Sequence, residues 1–268
     1  MLSPEAIETA ARLILRARAA QQPMSALPDA CRPVSRADGY AVQLASLAAL
    51  PGTAWGWKIA ATSKAGQRHI GLDGPVAGRL LSDWVHAEDA PISLAGNAMS
   101  LAECEFAFRL ARPLPPRAEP YTRNEVVAAI DTLHPAIEIP DCRFADVPGA
   151  GAAQLIADGA CSREFVLGAA TTAEWRSLDL AAQRVVATIW RDGRRVPGEY
   201  DGQGANALGH PLAAMVWIAN ELSAMKIGLA AGEVVTTGTC VEPVPVRPGD
   251  TLRVAFGPIG QVEARFAS

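Results

Sequence analysis

The first part of the chain repeats its apolar residues with a helical period. Ile7 and Ile14, with alanines between them, fall on one face of a helix. Ser3 can cap this helix, because its side-chain oxygen can accept from a free backbone N–H at the helix start. Ser35 can cap a second helix in the same way. The pattern therefore predicts a helical N-terminal segment over residues 1–53.

From about residue 54 the period shortens to that of β-strands. Short apolar runs alternate with turns rich in glycine and proline. Asp192-Gly193 lies between two such runs and predicts a hairpin, because this dipeptide tolerates the positive φ angles of a tight turn. We therefore expect an α+β fold in which residues 54–268 form a catalytic domain of mixed, mostly antiparallel strands.

Two helices interrupt the predicted strands. Thr122 and Glu125 form a capping box, and His210-Pro211 opens the second helix. The segments 149–153 and 202–209 are rich in glycine or alanine. Neither has the setting between a strand and a helix that a dinucleotide-binding fingerprint requires, so both are interpreted as loops.

Composition and charge exclude several partners. Half of the 268 residues are hydrophobic, which is ample for a buried core, and the net charge is −4. No basic block is long enough to suggest a nucleic-acid partner. No apolar stretch is long enough to span a membrane, and the N-terminus lacks the features of a signal peptide. We expect a cytoplasmic protein without a nucleic-acid or membrane partner.

The cysteines do not form a recognisable pattern. There are five, and none belongs to a C-x-x-C pair. An odd number at irregular spacing argues against a disulfide framework and against a zinc site. The four histidines are scattered, which also argues against zinc. A reducing compartment fits this composition.

Two carboxylates share one face of a predicted strand. In the run from Leu101 to Phe108, Glu103 and Glu105 point one way and the apolar residues between them point the other. Such neighbours repel each other unless solvent or a cation compensates them. A solvated sheet edge and a cation site are therefore both compatible with this pair.

A third carboxylate and a lysine lie in two further strands. Glu138 stands between Ile137 and Ile139, so it points away from the core that they enter. If it meets the first pair, three carboxylates form an all-oxygen site suited to Mg²⁺ or Mn²⁺. Lys58 interrupts an apolar strand. It is either a lysine that snorkels to solvent or a partly desolvated lysine near a cation, with a lowered pKa, that can move protons.

The chain resembles the 2-keto-4-pentenoate hydratase / 4-oxalocrotonate decarboxylase group within the fumarylacetoacetate hydrolase superfamily. The resemblance covers nearly the whole chain. It is carried by segments 57–64, 103–108, 136–139, 156–168, 208–212 and 231–239, and by the closing Pro248-Gly249-Asp250.

The resemblance implies a fold, a cofactor and a set of site residues. The implied fold is the superfamily's β-roll, with the helical N-terminal segment packed on it. The implied metal ligands are Glu103, Glu105 and Glu138, binding Mg²⁺ or Mn²⁺. Lys58 is implied as the active-site lysine that also contacts the substrate. Ser162 and Thr239 are implied as further substrate-binding residues.

One position departs from the family pattern. In the hydratases, the stretch after Gly71-Leu72-Asp73 usually has two acids around a proline, and the second acts as an acid/base. Here Val76 stands at that second position, and valine cannot transfer a proton. Asp73 and Asp158 are the acids that we consider as its replacement.

These observations lead to an expected activity and two alternatives. The expected protein is a lyase that hydrates a 2-hydroxy-dienoate or 2-oxo-enoate in the catabolism of small or aromatic-derived acids. Its partner is a small 2-oxo acid substrate, and we expect a homo-oligomer. The first alternative is a 2-oxo-enedioate decarboxylase of the 4-oxalocrotonate type. The second is a catalytically reduced homologue that binds metal and an oxo acid.

Overall fold

The computed structural model describes all 268 residues. The helices are α1 (Pro4–Ala20), α2 (Arg36–Ala48), α3 (Lys64–His69), α4 (Arg123–Ala129), α5 (Val147–Ala157) and α6 (Pro211–Ala224). The first strands are β1 (Ala54–Ala60), β2 (Val76–Leu81), β3 (Val85–His86), β4 (Pro91–Ile92), β5 (Leu101–Leu110), β6 (Ile130–Ile139) and β7 (Glu164–Leu167). The later strands are β8 (Arg184–Arg191), β9 (Arg194–Arg195), β10 (Tyr200–Gln203), β11 (Val234–Thr239), β12 (Val244–Pro245), β13 (Asp250–Ala255) and β14 (Gln261–Phe266).

The strands form two sheets. The larger sheet has the order β2-β1-β11-β5-β6-β7-β3, with β12 paired to β5. The smaller sheet has the order β10-β8-β13-β14-β4, with β9 paired to β8. Parallel pairing occurs only between β1 and β11, β3 and β7, and β4 and β14. The prediction of an α+β fold with mixed, mostly antiparallel strands is confirmed.

Local signals in the sequence start the predicted helices. Ser3 Oγ accepts from Ala6 N at the start of α1, and Ser35 Oγ accepts from Asp38 N at the start of α2. The capping box of Thr122 and its glutamate is also present at α4. These contacts satisfy backbone N–H groups that have no partner inside a helix. No helix in the structure combines the length and the apolar character needed to cross a lipid bilayer.

The loop prediction for 149–153 is wrong. These residues lie inside α5, whose N-cap Asp146 accepts from Gly149 N. Glycine has a low helix propensity, so the local sequence does not predict a helix here. Gly151, with φ 76°, kinks the helix. Burial of the following Leu155 and Ile156 outweighs this weak propensity. In the second predicted loop, Gly202 lies in β10, while Gly204–Asn206 forms a short 3₁₀ turn.

The N-terminal helices share the main core with the strands. One continuous cluster of buried apolar side chains includes Ile14 of α1, Tyr40 of α2 and Phe106 of β5. Gln43 of α2 is 1% exposed. Its amide nitrogen donates to Ala77 O at 3.1 Å and to Ile156 O at 2.6 Å, and its oxygen accepts from Arg79 N at 3.1 Å. The division of the chain at residues 53 and 54 stays a prediction.

Removal of the Gln43 amide should weaken the docking of α2. The change Gln43→Ala removes three hydrogen bonds to backbone groups, two of them buried, so we expect a loss of about 2–4 kcal/mol in the free energy of unfolding. Urea denaturation followed by circular dichroism measures it. Gln22→Ala, at an exposed position, is the matched control. A loss below about 0.5 kcal/mol in Gln43→Ala would contradict this role.

Candidate metal centre and active site

The pairing of β5 with β6 brings the three predicted carboxylates together. Glu103 stands directly opposite Glu138 in the antiparallel register, and Glu105 lies two residues further along β5 on the same face. One carboxylate oxygen from each glutamate lies within 4.8 Å of the others. Cys104 and Phe106 enter the main core on the other face. The strand alternation expected for this segment is confirmed.

The buried carboxylates lack enough hydrogen-bond donors. Glu105 and Glu138 are 0% exposed, whereas Glu103 is partly exposed and marks the open side of the cluster. Glu105 Oε2 accepts from the Thr236 hydroxyl and, at 2.7 Å, from Gly238 N. Glu105 Oε1 and both oxygens of Glu138 have no hydrogen-bond donor. Buried carboxylate oxygens without donors fit the binding of a cation, because burying them unpaired is costly.

Burial and mutual repulsion disfavour the ionised carboxylates. Burial, followed by the charge of Glu103, raises the pKa of Glu105 to about 7, against the opposing effects of Lys58 and its two hydrogen bonds. Burial also raises the pKa of Glu138 well above its usual range, although Lys58 opposes the shift. A cation at this position would relieve both effects by favouring the charged forms.

Lys58 lies on the same sheet face and is 1% exposed. Its Nζ forms an ion pair with Glu138 Oε2 at 2.9 Å, although the geometry is not that of a hydrogen bond. The same Nζ donates a hydrogen bond to Ala160 O at 3.0 Å. Burial lowers the pKa of Lys58, but the charges of Glu138 and the other two glutamates raise it more, so the net pKa is raised. The lowered pKa is predicted for a lysine near a cation and stays a prediction, whereas complete burial excludes the snorkelling alternative.

A tight turn supplies the carbonyl that holds Lys58. Residues Gly159, Ala160 and Cys161 have φ values of 73°, 51° and 65°, and the last two carry side chains, for which this conformation is unfavourable. The turn packs on Gly78, which stands opposite Lys58 in the β1–β2 register. A Cβ atom at Gly78 would overlap the Gly159 carbonyl oxygen, so only glycine permits this approach.

Ser162 and Thr239 lie beside this arrangement, with hydroxyls that bond within the protein. Ser162 is 0% exposed, and its hydroxyl donates to Gly159 O at 2.6 Å. Thr239 stands opposite Glu105 in the β11–β5 register. Its hydroxyl donates to Val241 O at 2.8 Å and accepts from Cys104 N at 3.2 Å. Their substrate-binding roles stay predictions.

The two candidate acids occupy different surroundings. Asp158 is 2% exposed and forms an ion pair with Arg143, whose backbone N–H also donates to it at 3.0 Å. Asp73 is exposed in the turn before β2. Val76 is 1% exposed among apolar residues of the main core, opposite Ala60. The structure therefore brings neither acid into the carboxylate cluster.

Sequence reasoning missed several supporting groups. The Thr236 hydroxyl and the Gly238 N–H bond to Glu105, and the Ala160 carbonyl bonds to Lys58. The run Thr236-Thr237-Gly238 at the end of a predicted strand could have indicated the hydroxyl and the N–H that bind Glu105. The backbone carbonyl left no signal, because every residue type provides one.

A cavity on the other side of the sheet does not belong to this cluster. It has a volume of about 650 Å³ and is lined by Trp57, Arg79 and Glu233 together with apolar residues of α2 and two loops. Neither Lys58 nor any of the three clustered carboxylates lines it. Trp57 precedes Lys58 on β1, so their side chains project to opposite faces. The cavity therefore does not reach the carboxylates.

The donor set fits a hard divalent cation. Three carboxylates provide only oxygen ligands, and no histidine or cysteine belongs to the cluster. Oxygen ligands suit Mg²⁺, Ca²⁺ or Mn²⁺ better than zinc. The unpartnered oxygens of Glu105 and Glu138 would be satisfied by such an ion.

Comparisons with known proteins agree with this geometry. Residues 79–267 match the family model for the fumarylacetoacetate (FAA) hydrolase C-terminal region. The 2-keto-4-pentenoate hydratase of Paraburkholderia xenovorans is 33% identical over 270 residues, covering 100% of this chain and 97% of the relative. The 2-oxo-hept-4-ene-1,7-dioate hydratase of Escherichia coli is 32% identical, covering 79% of this chain and 78% of the relative.

Two solved structures match nearly the full length. The 4-oxalocrotonate decarboxylase from Pseudomonas putida G7, complexed with magnesium and adipate, superposes with a TM-score of 0.85 at 26% identity. The same enzyme complexed with calcium and acetate gives a TM-score of 0.82. Each match covers 99% of both chains.

Metal binding should depend on Glu105. Calorimetric titration of chelator-treated protein with MgCl₂ or MnCl₂ should show one divalent site, and Glu105→Gln should lose it because a central charged ligand is removed. Glu8→Gln, an exposed glutamate on α1, is the matched control and should bind as the wild type does. Equal binding by Glu105→Gln and the wild type would exclude the cluster as the metal site.

The metal-free protein should lose stability as the pH rises through the titration of Glu105. A raised pKa means that the folded state holds this proton more tightly than the unfolded state does. The contribution of Glu105 to the free energy of unfolding is therefore fully present below about pH 4.5, and it decreases as the pH rises through about 7.

The pH effect can be isolated by comparing the wild type with Glu105→Gln in EDTA. From pH 5 to 8 the wild type should lose about 1–3 kcal/mol relative to the variant. Added Mg²⁺ should abolish the loss. Chemical denaturation at each pH measures it, and a difference that is constant across this range would contradict the prediction.

Proposed function

The chain belongs to the fumarylacetoacetate hydrolase family, and we propose that it is a metal-dependent hydratase of a 2-hydroxy-dienoate or its 2-oxo-enoate tautomer. The reaction adds water across the activated double bond and gives a 4-hydroxy-2-oxo acid. Full-length similarity to hydratases at 33% identity supports the reaction class. The convergence of three carboxylates beside a buried lysine carries the proposal.

We propose Glu103, Glu105 and Glu138 as ligands of Mg²⁺, with Mn²⁺ as an alternative ion. The oxygen-only donor set and the unpartnered buried oxygens support this assignment. When bound, the divalent cation supplies the Lewis acidity that polarises the 2-oxo group of the substrate. Glu103, on the partly exposed side of the cluster, leaves room for substrate oxygens to approach.

Lys58 is the group that we propose moves the proton between dienol and enone. It lies beside Glu138, and the Ala160 carbonyl fixes the direction of its ammonium group. Because the carboxylates hold the proton on Lys58 in the metal-free protein, it is poised to donate first. Compensation of the carboxylate charge by a cation would weaken this hold and let the lysine also accept a proton.

The group that delivers water at the far carbon is proposed to be Asp73 rather than Asp158. Asp73 is exposed in the turn before β2, with a carboxylate that forms no ion pair. Asp158 is held by Arg143, and it would have to break that ion pair to transfer a proton. Ser162 and Thr239 are proposed to bind the substrate after exchanging their internal hydrogen bonds for substrate oxygens.

A decarboxylase of the 4-oxalocrotonate type is the second candidate. It is favoured by the full-length structural match to that enzyme, which was solved with the dicarboxylate adipate. A second observation is Arg143 Nη1, which is buried, has no hydrogen-bond partner and lies 3.9 Å from Asp141 Oδ2. Such a cationic group could receive the second carboxylate of a dicarboxylate substrate.

Steady-state assays separate the candidates. Ultraviolet absorbance should show hydration of 2-hydroxypenta-2,4-dienoate in the presence of Mg²⁺ and none in EDTA. Release of CO₂ from a 2-oxo-enedioate, without hydration of the dienoate, would instead establish the decarboxylase. Metal binding with no turnover of either substrate would identify a catalytically reduced homologue.

Lys58→Met should lower turnover of the preferred substrate by roughly 10²-fold or more, because a proton carrier is lost. Metal affinity should stay the same or rise, since a nearby positive charge is removed. The matched control is Lys226→Met, which changes an exposed lysine outside the site and should leave kcat unchanged. If Lys58→Met stays within a few-fold of the wild type, Lys58 is a packing residue.

A further inference from the structure

Two of the five cysteines meet directly behind the active-site turn. Cys142 follows β6, and Cys161 lies in the turn whose Ala160 carbonyl holds Lys58. Their sulfur atoms and a carboxylate oxygen of Asp158 all lie within 4.8 Å of one another. The two segments are already joined by a backbone hydrogen bond from Asp141 N to Cys161 O at 2.8 Å. The sequence spacing of the cysteines gave no sign of this contact.

A metal ion is a poor occupant of this cluster. It offers three ligands, and the Asp158 carboxylate is already bonded to both the guanidinium and the backbone N–H of Arg143. A nearby buried guanidinium also repels a cation. The remaining chemistry of two adjacent thiols is their oxidation to a disulfide, whose sulfur atoms are bonded at about 2.05 Å.

The two thiols differ in access and reactivity. Cys161 is partly exposed, whereas Cys142 is 3% exposed. The contact with the Cys161 thiol, together with burial, raises the pKa of Cys142. Cys161 is therefore the thiol that reacts first, and Cys142 is the resolving thiol.

We propose that Cys142 and Cys161 form an oxidation site that small disulfides such as glutathione disulfide convert reversibly into a cross-link, and that the cross-link lowers turnover. The effect on turnover rests on the proposed function, whereas the cross-link does not. Cross-linking must bring the Cys161 sulfur to bonding distance from the Cys142 sulfur. This movement displaces the turn whose Ala160 O positions Lys58.

The exchange balances without another reactant. The Cys161 thiolate attacks one sulfur of glutathione disulfide, whose S–S bond breaks and releases one glutathione thiolate. Cys142 then loses its proton and attacks the Cys161 sulfur, which releases the second glutathione. The two protein thiols lose two electrons and two protons, and glutathione disulfide is reduced to two glutathione molecules.

The test is peptide mapping of native protein incubated with graded glutathione disulfide. We expect a Cys142–Cys161 peptide pair, loss of two free thiols and reversal by dithiothreitol. Cys142→Ser and Cys161→Ser should lack the cross-link, while Cys31→Ser, which removes a buried cysteine elsewhere, should retain it. No cross-link, or one joining only the fully buried Cys104 and Cys240, would overturn the site.

Turnover is measured on the same samples. The oxidised wild type should lose at least five-fold in kcat and regain it with dithiothreitol, whereas Cys161→Ser, which lacks the thiol that reacts first, should keep its own starting activity throughout the oxidant series. Oxidised protein with full cross-linking and unchanged kcat would overturn the coupling to Lys58. If the reduced protein hydrates no dienoate, the proposed function fails, and the peptide map still decides the cross-link.

Discussion

Three carboxylates and one lysine lie together on a largely buried face of the larger sheet. The lysine compensates only one of the three negative charges, and several oxygens of Glu105 and Glu138 have no donor. Burial of unpaired charge costs several kcal/mol per ion, so the metal-free protein responds by holding protons on these glutamates. This excess of negative charge is the physical basis of the proposed cation binding and of the expected sensitivity to pH.

The surrounding fold holds this unfavourable cluster in place. The β5–β6 register places Glu103 opposite Glu138, and ten-residue strands leave little freedom for a shift. A one-residue slip of either strand would turn its carboxylates into the apolar core and its apolar side chains out of it, which is unfavourable. Donors from β11 fix Glu105, and the turn at 159–161 fixes Lys58. The charges therefore stay together because backbone pairing elsewhere stabilises the strands that carry them.

The arrangement also limits which reactions the site supports. Hard oxygen ligands and a buried lysine suit the polarisation of a 2-oxo acid and a proton transfer beside it. Relatives named for hydration and for decarboxylation are both similar to this chain over nearly its full length. We propose that groups around the cluster decide between the two reactions, with Asp73 for water delivery and Arg143 for a second carboxylate.

The sequence by itself determined the fold class, most of the elements and the carboxylates of the candidate site. Alternation along β5 and β6 separated Glu103, Glu105 and Glu138 from the core residues, since side chains alternate strictly in a strand. Capping residues located the helix starts. The tertiary structure alone decided that Lys58 is paired with Glu138, that Asp158 is bound by Arg143 and that Cys142 meets Cys161. These contacts join segments distant in the chain, and no local period encodes the register and turn that bring them together.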